Sequence, residues 1–240
     1  MIDAFFFKML GPWLRRYWWL WFPLSALFFV TLPNIDLTVS GWFWSPEERW
    51  FLAKTPWAEF VRKKLPYFLI GSVLGVTALW GIMRLWGKKL TFLTGKACAY
   101  LVLSLSIGPG LLANSLFKEN WGRARPSQIT QFDGTKTFTP PLEIADQCVS
   151  NCSFVSGHGA LGLWITAWAF LCPPPWRGIV LLITLIFGSS VGVVRIIQGG
   201  HFLSDVFYAG VLVLTVNVGL ASWLLKPAPA DQTPGSNPQE

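Results

Sequence analysis

Charge is what this chain has least of. Lys, Arg, Asp and Glu make up 13% of its 240 residues, roughly half of what soluble domains carry. So few ionic groups exclude an ordinary soluble domain. A Mg²⁺ site would want clustered carboxylates, and Asp205 is the one acid embedded beside a candidate histidine, so no metal and no other cofactor is expected. Histidine is scarcer still, with two residues, His158 and His201. Internal repeats are absent. The N-terminus lacks a small-residue cleavage site: Arg15-Arg16 leads straight into an apolar run from Tyr17 to Leu32, which reads as a retained first span.

Apolar and aromatic residues are abundant. The chain is 52% hydrophobic, with 15 Trp and 19 Phe, the composition of an integral membrane protein whose aromatics gather at the interfaces. The net charge of +7 does not point to nucleic acid, because the basic residues split between both membrane faces and form no single footprint. Cytoplasmic lysines and arginines or an anionic lipid surface explain it more simply.

The apolar runs predict an all-α polytopic fold with six transmembrane helices, at about 17–32, 66–86, 97–117, 159–172, 178–197 and 202–225. Together residues 1–225 form one membrane domain. Residues 226–240, rich in Pro, Gln and Asn, read as a disordered tail. The mixed segment 34–65 is either an amphipathic interfacial helix, with Ser45 as N-cap of Ser45-Pro46-Glu47-Glu48, or a plain connecting loop. Six spans put both termini on one side, together with Lys8, Arg15, Arg16, the Arg84–Lys96 loop, Arg177 and Lys226. That side is the cytoplasm by the positive-inside rule. The segments 34–65, 118–158 and 195–205 then share the outer face. Cys98 and Cys172 fall in or at the ends of spans and read as reduced core residues. Cys148 and Cys152 lie in the outer loop, where an oxidising compartment allows a disulfide. Free thiols remain an alternative, and two cysteines without a histidine pair make a poor metal site.

Three polar groups fall on that outer face. The first, Lys118 to Pro126, holds Lys118, Arg123 and Arg125, cations that suit a phosphate or simply the headgroup surface. The second is Ser156-Gly157-His158, where Ser156 is a plausible N-cap and Gly157 leaves the backbone open to an anion at a helix N-terminus. The third runs from Arg195 through Gly199-Gly200 to His201 and Asp205. A helix beginning near His201 would set His201 and Asp205 at i, i+4 on one side. A carboxylate there would fix the imidazole tautomer. Each group alone also reads as an ordinary interfacial cap. Together they hold both histidines and supply the parts for metal-free phosphoryl transfer.

The ordered triple Lys118-x6-Arg125-Pro126, Ser156-Gly157-His158 and Arg195-x5-His201-x3-Asp205 resembles the signature of the type-2 phosphatidic acid phosphatase and haloperoxidase superfamily, in its membrane lipid phosphatase branch. The resemblance covers about residues 60 to 225. It implies His201 as a nucleophile forming a phospho-histidine, Asp205 as its orienting partner and His158 as general acid. Lys118, Arg125, Arg195 and the Ser156-Gly157 region would hold the phosphate. Val155 stands where the family usually has proline, and Val194 where it usually has serine before the arginine, which removes one phosphate hydrogen bond. The segment 34–40 and the paired cysteines before Ser156 look most like bacterial lipid A phosphatases. Undecaprenyl diphosphate, phosphatidylglycerol phosphate and phosphatidic acid are the alternative substrates. The expected partners are therefore a phosphorylated or diphosphorylated membrane lipid and the bilayer, with no obligate protein partner. The expected place is the bacterial inner membrane, multi-pass, with the active site facing the periplasm. A non-catalytic lipid-binding or transport protein is the reading from another class, and it would need the cations but not the paired histidines.

Overall fold

The structure, a computed structural model, describes residues 11–88, 90 and 93–225. The tail 226–240 and the positions of Lys8, Lys89 and Lys226 lie outside the described residues, as do the side chains of Arg15 and Arg16. Among the described residues every regular element is helical. In chain order they are α1 (Gly11–Thr31), α2 (Ile35–Gly41), α3 (Pro56–Lys63), α4 (Leu65–Leu85), α5 (Gly95–Asn120), two 3₁₀ turns (Pro126–Gln128 and Thr130–Phe132), α6 (Gly157–Trp164), α7 (Ala167–Leu171), α8 (Pro174–Ile197) and α9 (Leu203–Leu224).

Four helices, α4, α5, α8 and α9, have 21, 26, 24 and 22 residues and are apolar enough to cross a membrane. At about 1.5 Å per residue each exceeds the roughly 30 Å of a hydrocarbon core. Their outer faces expose Phe68, Leu74, Leu182 and Val218, as contact with lipid tails requires. The first expected span, 17–32, falls on α1, and a bend follows it: Phe22–Thr31 and Ile35–Gly41 meet at 73° and would make a fifth span if the pair counts as one.

The fourth expected span, 159–172, is two short helices of 8 and 5 residues, α6 and α7. Neither reaches the roughly 20 residues of a span. The break is tolerated because protein surrounds it. Asn217, fully buried on α9, donates to the carbonyl of Trp164 at 3.3 Å and to Thr166 Oγ1 at 3.0 Å. A broken helix at membrane depth needs such partners for its freed backbone groups. Trp164 itself is buried and donates its indole N–H to Ser104 Oγ on α5 at 2.9 Å.

Within the 34–65 segment no helix starts at Ser45; α2 precedes it and α3 starts at Pro56, with Thr55 as its N-cap position. Ser45 Oγ does accept from Glu48 N at 3.1 Å. There the chain turns back, because Arg49 adopts φ 59 and its backbone bonds Ser45 in both directions. A left-handed residue cannot continue a right-handed helix.

α5 widens over Ser106–Phe117 into turns closed by i→i+5 bonds. Pro109 lies inside that stretch and has no N–H to give. The carbonyl of Pro109 accepts the side-chain amide of Asn114 at 2.7 Å. Widened turns of this kind recur at functional sites, and this one ends at Lys118. The main core lies between α5, α6 and α9, around Tyr100, Leu101, Phe154, Leu161, Trp164 and Val213. A smaller cluster of Ile129, Phe132 and Phe202 gathers Trp44, Trp50 and Phe138 over the turn before α9.

Candidate active site

Backbone hydrogen bonds stitch the three motifs together. Cys152 N–H donates to the Lys118 carbonyl at 3.0 Å and Ser153 N–H to that of Arg123 at 2.9 Å. Ser156 N–H donates to the Asp205 carbonyl at 3.0 Å, and Ser127 N–H to that of Gly199 at 3.0 Å. The cations Lys118, Arg125 and Arg195 are consequently near enough to act on one another's charge. His158 lies within the field of all three, and His201 within that of Lys118 and Arg195. The eight residues singled out by the motifs thus meet in one place.

His201 is fully buried in the turn between α8 and α9. Its Nδ1 lies 2.7 Å from the Ser153 carbonyl. A carbonyl only accepts, so Nδ1 carries the proton and the neutral ring keeps its lone pair on Nε2. Nε2 has no hydrogen-bond partner among the described residues. Burial pushes the imidazole pKa down to about 3, against the pull of Asp205. The ring is therefore neutral near pH 7.

Asp205 does face His201 at i, i+4, but at 3.8 Å from Nδ1. The direct contact is the Ser153 carbonyl. The reason is that α9 starts at Leu203, which puts Asp205 in the first turn with His201 just outside it. The carboxylate is occupied there. Its Oδ2 accepts from Phe202 N–H at 2.8 Å and from the Ser153 hydroxyl at 2.5 Å. Its Oδ1 accepts from Arg123 Nη1 at 2.5 Å. Asp205 thus caps the start of α9 and meets the ring only through Ser153, whose hydroxyl it accepts and whose carbonyl holds Nδ1.

Arg123 is not a third cation for the phosphate. It is fully buried and faces away, with Nη2 on Asp36 Oδ2 at 2.8 Å and Nε on the Thr139 carbonyl at 2.9 Å. Its guanidinium carbon stacks 4.3 Å from the Phe202 ring centroid. Sequence reading missed Ser153, Asp36 and this use of Arg123. For Asp36 a signal existed: it is one of few acids in the chain and follows an apolar run. Ser153 offered none: its carbonyl holds His201 whatever the side chain, and its hydroxyl meets an Asp205 that is 52 residues away.

The Gly199-Gly200 pair has a spatial cause. Gly199 takes φ 63, and a Cβ on it would lie 2.3 Å from the Trp50 ring. A Cβ on Gly200 would lie 2.5 Å from Arg195 Nη2. The first glycine lets Trp50 cover the turn and the second leaves room for the guanidinium. Arg195 is nearly buried, holds Gln198 Oε1 through Nη1, and keeps Nε without a partner among the described residues. Gln198 in turn donates to the Ala53 carbonyl at 3.1 Å, a second tie to the segment that carries Trp50. Arg125 donates through Nη2 to the Asn151 carbonyl at 2.7 Å and to Asn151 Oδ1 at 2.9 Å. Burial lowers the Arg125 pKa. Asn151 belongs to the short loop that the Cys148–Cys152 disulfide closes, with Cα atoms 5.6 Å apart.

Ser156 is the N-cap of α6 and accepts from Gly159 N–H at 3.1 Å. His158, in the first turn, bonds through Nε2 to the Arg62 carbonyl at the end of α3, at 3.0 Å. A cleft of about 690 Å³ opens beside it. Its polar end is formed by Arg62, Lys118, Gly157 and His158, and its apolar wall by Tyr67, Ile70, Leu105 and Leu161 from α4, α5 and α6. One end of such a cleft suits an anionic headgroup and the other an acyl chain.

A family model described as PAP2 superfamily matches residues 97–228. A lipid A 4'-phosphatase of Francisella tularensis subsp. novicida (strain U112) is 34% identical over 192 residues, covering 78% of this chain and 85% of that protein. A lipid A 4'-phosphatase of Rhizobium leguminosarum is 29% identical over 215 residues, 84% and 92% of the two chains. One from Rhizobium etli (strain ATCC 51251 / DSM 11541 / JCM 21823 / NBRC 15573 / CFN 42) is 28% identical over 201 residues, 78% of each. No solved structure matches the chain.

Proposed function

Since this chain belongs to the PAP2 superfamily, we propose that it is a membrane lipid phosphatase that removes the 4'-phosphate of lipid A without a metal, through a phospho-histidine. The observation that carries the reading is the buried, neutral His201. Its Nδ1 is held by the Ser153 carbonyl, and its Nε2 lone pair is unused among the described residues, within reach of the charges of Lys118 and Arg195. The lipid A substrate and the 4' position rest on the relatives, and the cleft between α4 and α5 supports a substrate with an acyl part.

In the first step Nε2 of His201 attacks phosphorus and forms an N–P bond. The bond between phosphorus and the lipid oxygen breaks, and His158 gives that oxygen its proton. Because a carbonyl only accepts, Nε2 of His158 keeps the proton that it donates to Arg62, so the transferred proton is the one Nδ1 carries when the ring is an imidazolium. In the second step His158 takes a proton from water as the water oxygen attacks phosphorus. The N–P bond breaks, inorganic phosphate leaves and His201 returns to neutral. Lys118, Arg125 and Arg195 hold the phosphate oxygens and balance the charge they gain in the transition state. The Gly157 backbone adds an N–H donor at the α6 N-terminus, while Ser156 N–H is taken by the Asp205 carbonyl.

For the membrane setting we infer one domain over 1–225 with six crossings. The α1–α2 region and the α6–α7 pair supply the two beyond the four long helices. The site faces the periplasm of the inner membrane and the termini face the cytoplasm. The Cys148–Cys152 disulfide suits that oxidising side.

The test is phosphate release by the purified chain in detergent from lipid A, undecaprenyl diphosphate, phosphatidylglycerol phosphate and phosphatidic acid, with and without a chelator. Lipid A should lose its 4'-phosphate fastest, by mass spectrometry of the product, and the chelator should change nothing. Preference for another lipid would move the substrate; binding without release from any of them would favour a lipid carrier.

A further inference from the structure

Behind His201 lies a buried layer that the three motifs do not account for. Asp36 on α2, Arg123 in the loop after α5, and Ser204 and Asp205 on α9 have no exposed surface. Arg123 bridges the two carboxylates, with Nη1 on Asp205 Oδ1 at 2.5 Å and Nη2 on Asp36 Oδ2 at 2.8 Å. Asp36 Oδ1 accepts from Ser204 N–H at 2.9 Å, and Asp36 Oδ2 from the Ser204 hydroxyl. Ser204 Oγ also accepts from Arg123 Nη1 at 2.9 Å. Each bond to the two carboxylates comes from a donor, the pattern that fits ionised groups. With both ionised, the cluster of two carboxylates and one guanidinium carries one net negative charge.

We propose that Asp36 and Arg123 are positioning residues for phosphoryl transfer, which keep one net negative charge behind the His201 ring through Asp205 and Ser153. The inference rests on the phosphatase reading above. When Nε2 bonds to phosphorus while Nδ1 keeps its proton, the ring becomes cationic. On its phosphate side stand Lys118 and Arg195, which favour the phosphate but oppose a cationic ring. Asp205 alone cannot answer them, because Arg123 sits against it and cancels its charge. Asp36 restores the balance. Arg123 in turn is what lets two carboxylates ionise side by side, since an unbridged pair would take up a proton. The chain of contacts from the ring is continuous. It runs from Nδ1 to the Ser153 carbonyl, then from the Ser153 hydroxyl through Asp205 and Arg123 to Asp36.

The rival explanation is a buried ion cluster that serves the fold alone. Two isosteric or near-isosteric variants separate them in the full chain, with lipid A as substrate. Asp36→Asn removes the charge and keeps an acceptor for Ser204 N–H. Ser204→Ala removes hydrogen bonds and keeps the charge. Asp36→Asn should lower kcat at least about 10-fold with KM within about 3-fold, the size of a charge change several ångströms away in a buried site. Ser204→Ala should stay within about 3-fold of wild type. A smaller loss in Asp36→Asn, or an equal loss in Ser204→Ala, overturns the proposal. If Asp36→Asn does not fold, by size exclusion and melting, Arg123→Lys decides. It keeps the charge and loses the fork, so kcat within about 10-fold of wild type supports the proposal and a larger loss overturns it. A wild-type chain that releases phosphate from no lipid is a different failure: it removes the phosphatase reading, and this inference with it.

Discussion

The two histidines sit in opposite kinds of surroundings. His201 is sealed behind protein, held by a backbone carbonyl, and backed by bonds between residues far apart in sequence. His158 lines an open cleft, and its partner is the last turn of α3, a short helix braced along its own surface by the Glu59–Arg62 and Glu59–Lys63 pairs. Those pairs hold the Glu59 carboxyl down to about 2, the Arg62 hydrogen bonds first among the causes. Exposed pairs of this sort contribute little to stability. The contrast suits the two roles. A nucleophile gains from a fixed ring and an unused lone pair, whereas a proton donor has to reach a bulky leaving group as it arrives and departs.

The largest effect should come from the sealed side. His201→Ala is expected to remove phosphate release entirely while the chain still inserts in membranes and elutes as wild type. Full activity in that variant would end the mechanism. On the open side, His158→Gln should lower kcat by about 10²- to 10⁴-fold, the usual contribution of a general acid. It should also allow the phospho-histidine to accumulate when the leaving group is a good one, such as 4-nitrophenolate, visible as an acid-labile, alkali-stable label. Equal loss with all leaving groups would argue against proton donation by His158.

The pH dependence of stability sharpens the comparison further. His201 has a folded pKa of about 3 against an ordinary value near 6.5, so between these values the unfolded chain binds more protons than the folded one. Its contribution is complete above about pH 6.5 and is lost as pH falls towards 3, by about 1.4 kcal/mol per unit. Melting in detergent from pH 7 to 4.5 should therefore fall more steeply for wild type than for His201→Asn; parallel curves would contradict a buried neutral ring. A smaller change is expected from Cys148→Ser. It opens the loop that places Asn151 against Arg125, so KM should rise by about 3- to 10-fold with kcat nearly kept, as the loss of a binding contact predicts. A fall in kcat alone would mean that Arg125 is not held by this loop. The smallest effect belongs to Glu59→Gln, with kcat within about 3-fold of wild type and a difference that fades at high salt, as for any exposed pair. A salt-independent loss would show that α3 matters beyond these surface bonds.

Much of the site is legible along the chain. Lys118, Arg125, Ser156, His158, Arg195 and His201 stand out because polar residues are costly beside apolar runs, and their order carries the family resemblance. Helix type is equally plain, since long apolar runs without breaks leave few options. The errors have local causes. Ser45 starts a turn and not a helix, because the backbone of Arg49 is left-handed. The run 159–172 looks like one span but is broken at a point that a buried Asn217 satisfies from another helix.

What composition and spacing decide here is whatever depends on neighbours in sequence: apolar length, the Ser156 cap, the i, i+4 offset of His201 and Asp205, and the identity of the charged groups. What they leave open is which group each charge meets. Arg123 and Arg125 are two residues apart and equally basic, yet one is sealed against Asp36 and Asp205 while the other is held by Asn151 near Lys118 and Arg195. A hydrogen bond depends on a few tenths of an ångström and on direction. Its partner, here as much as 168 residues away, is chosen by the packing of α2, α5 and α9 around the turn that carries His201.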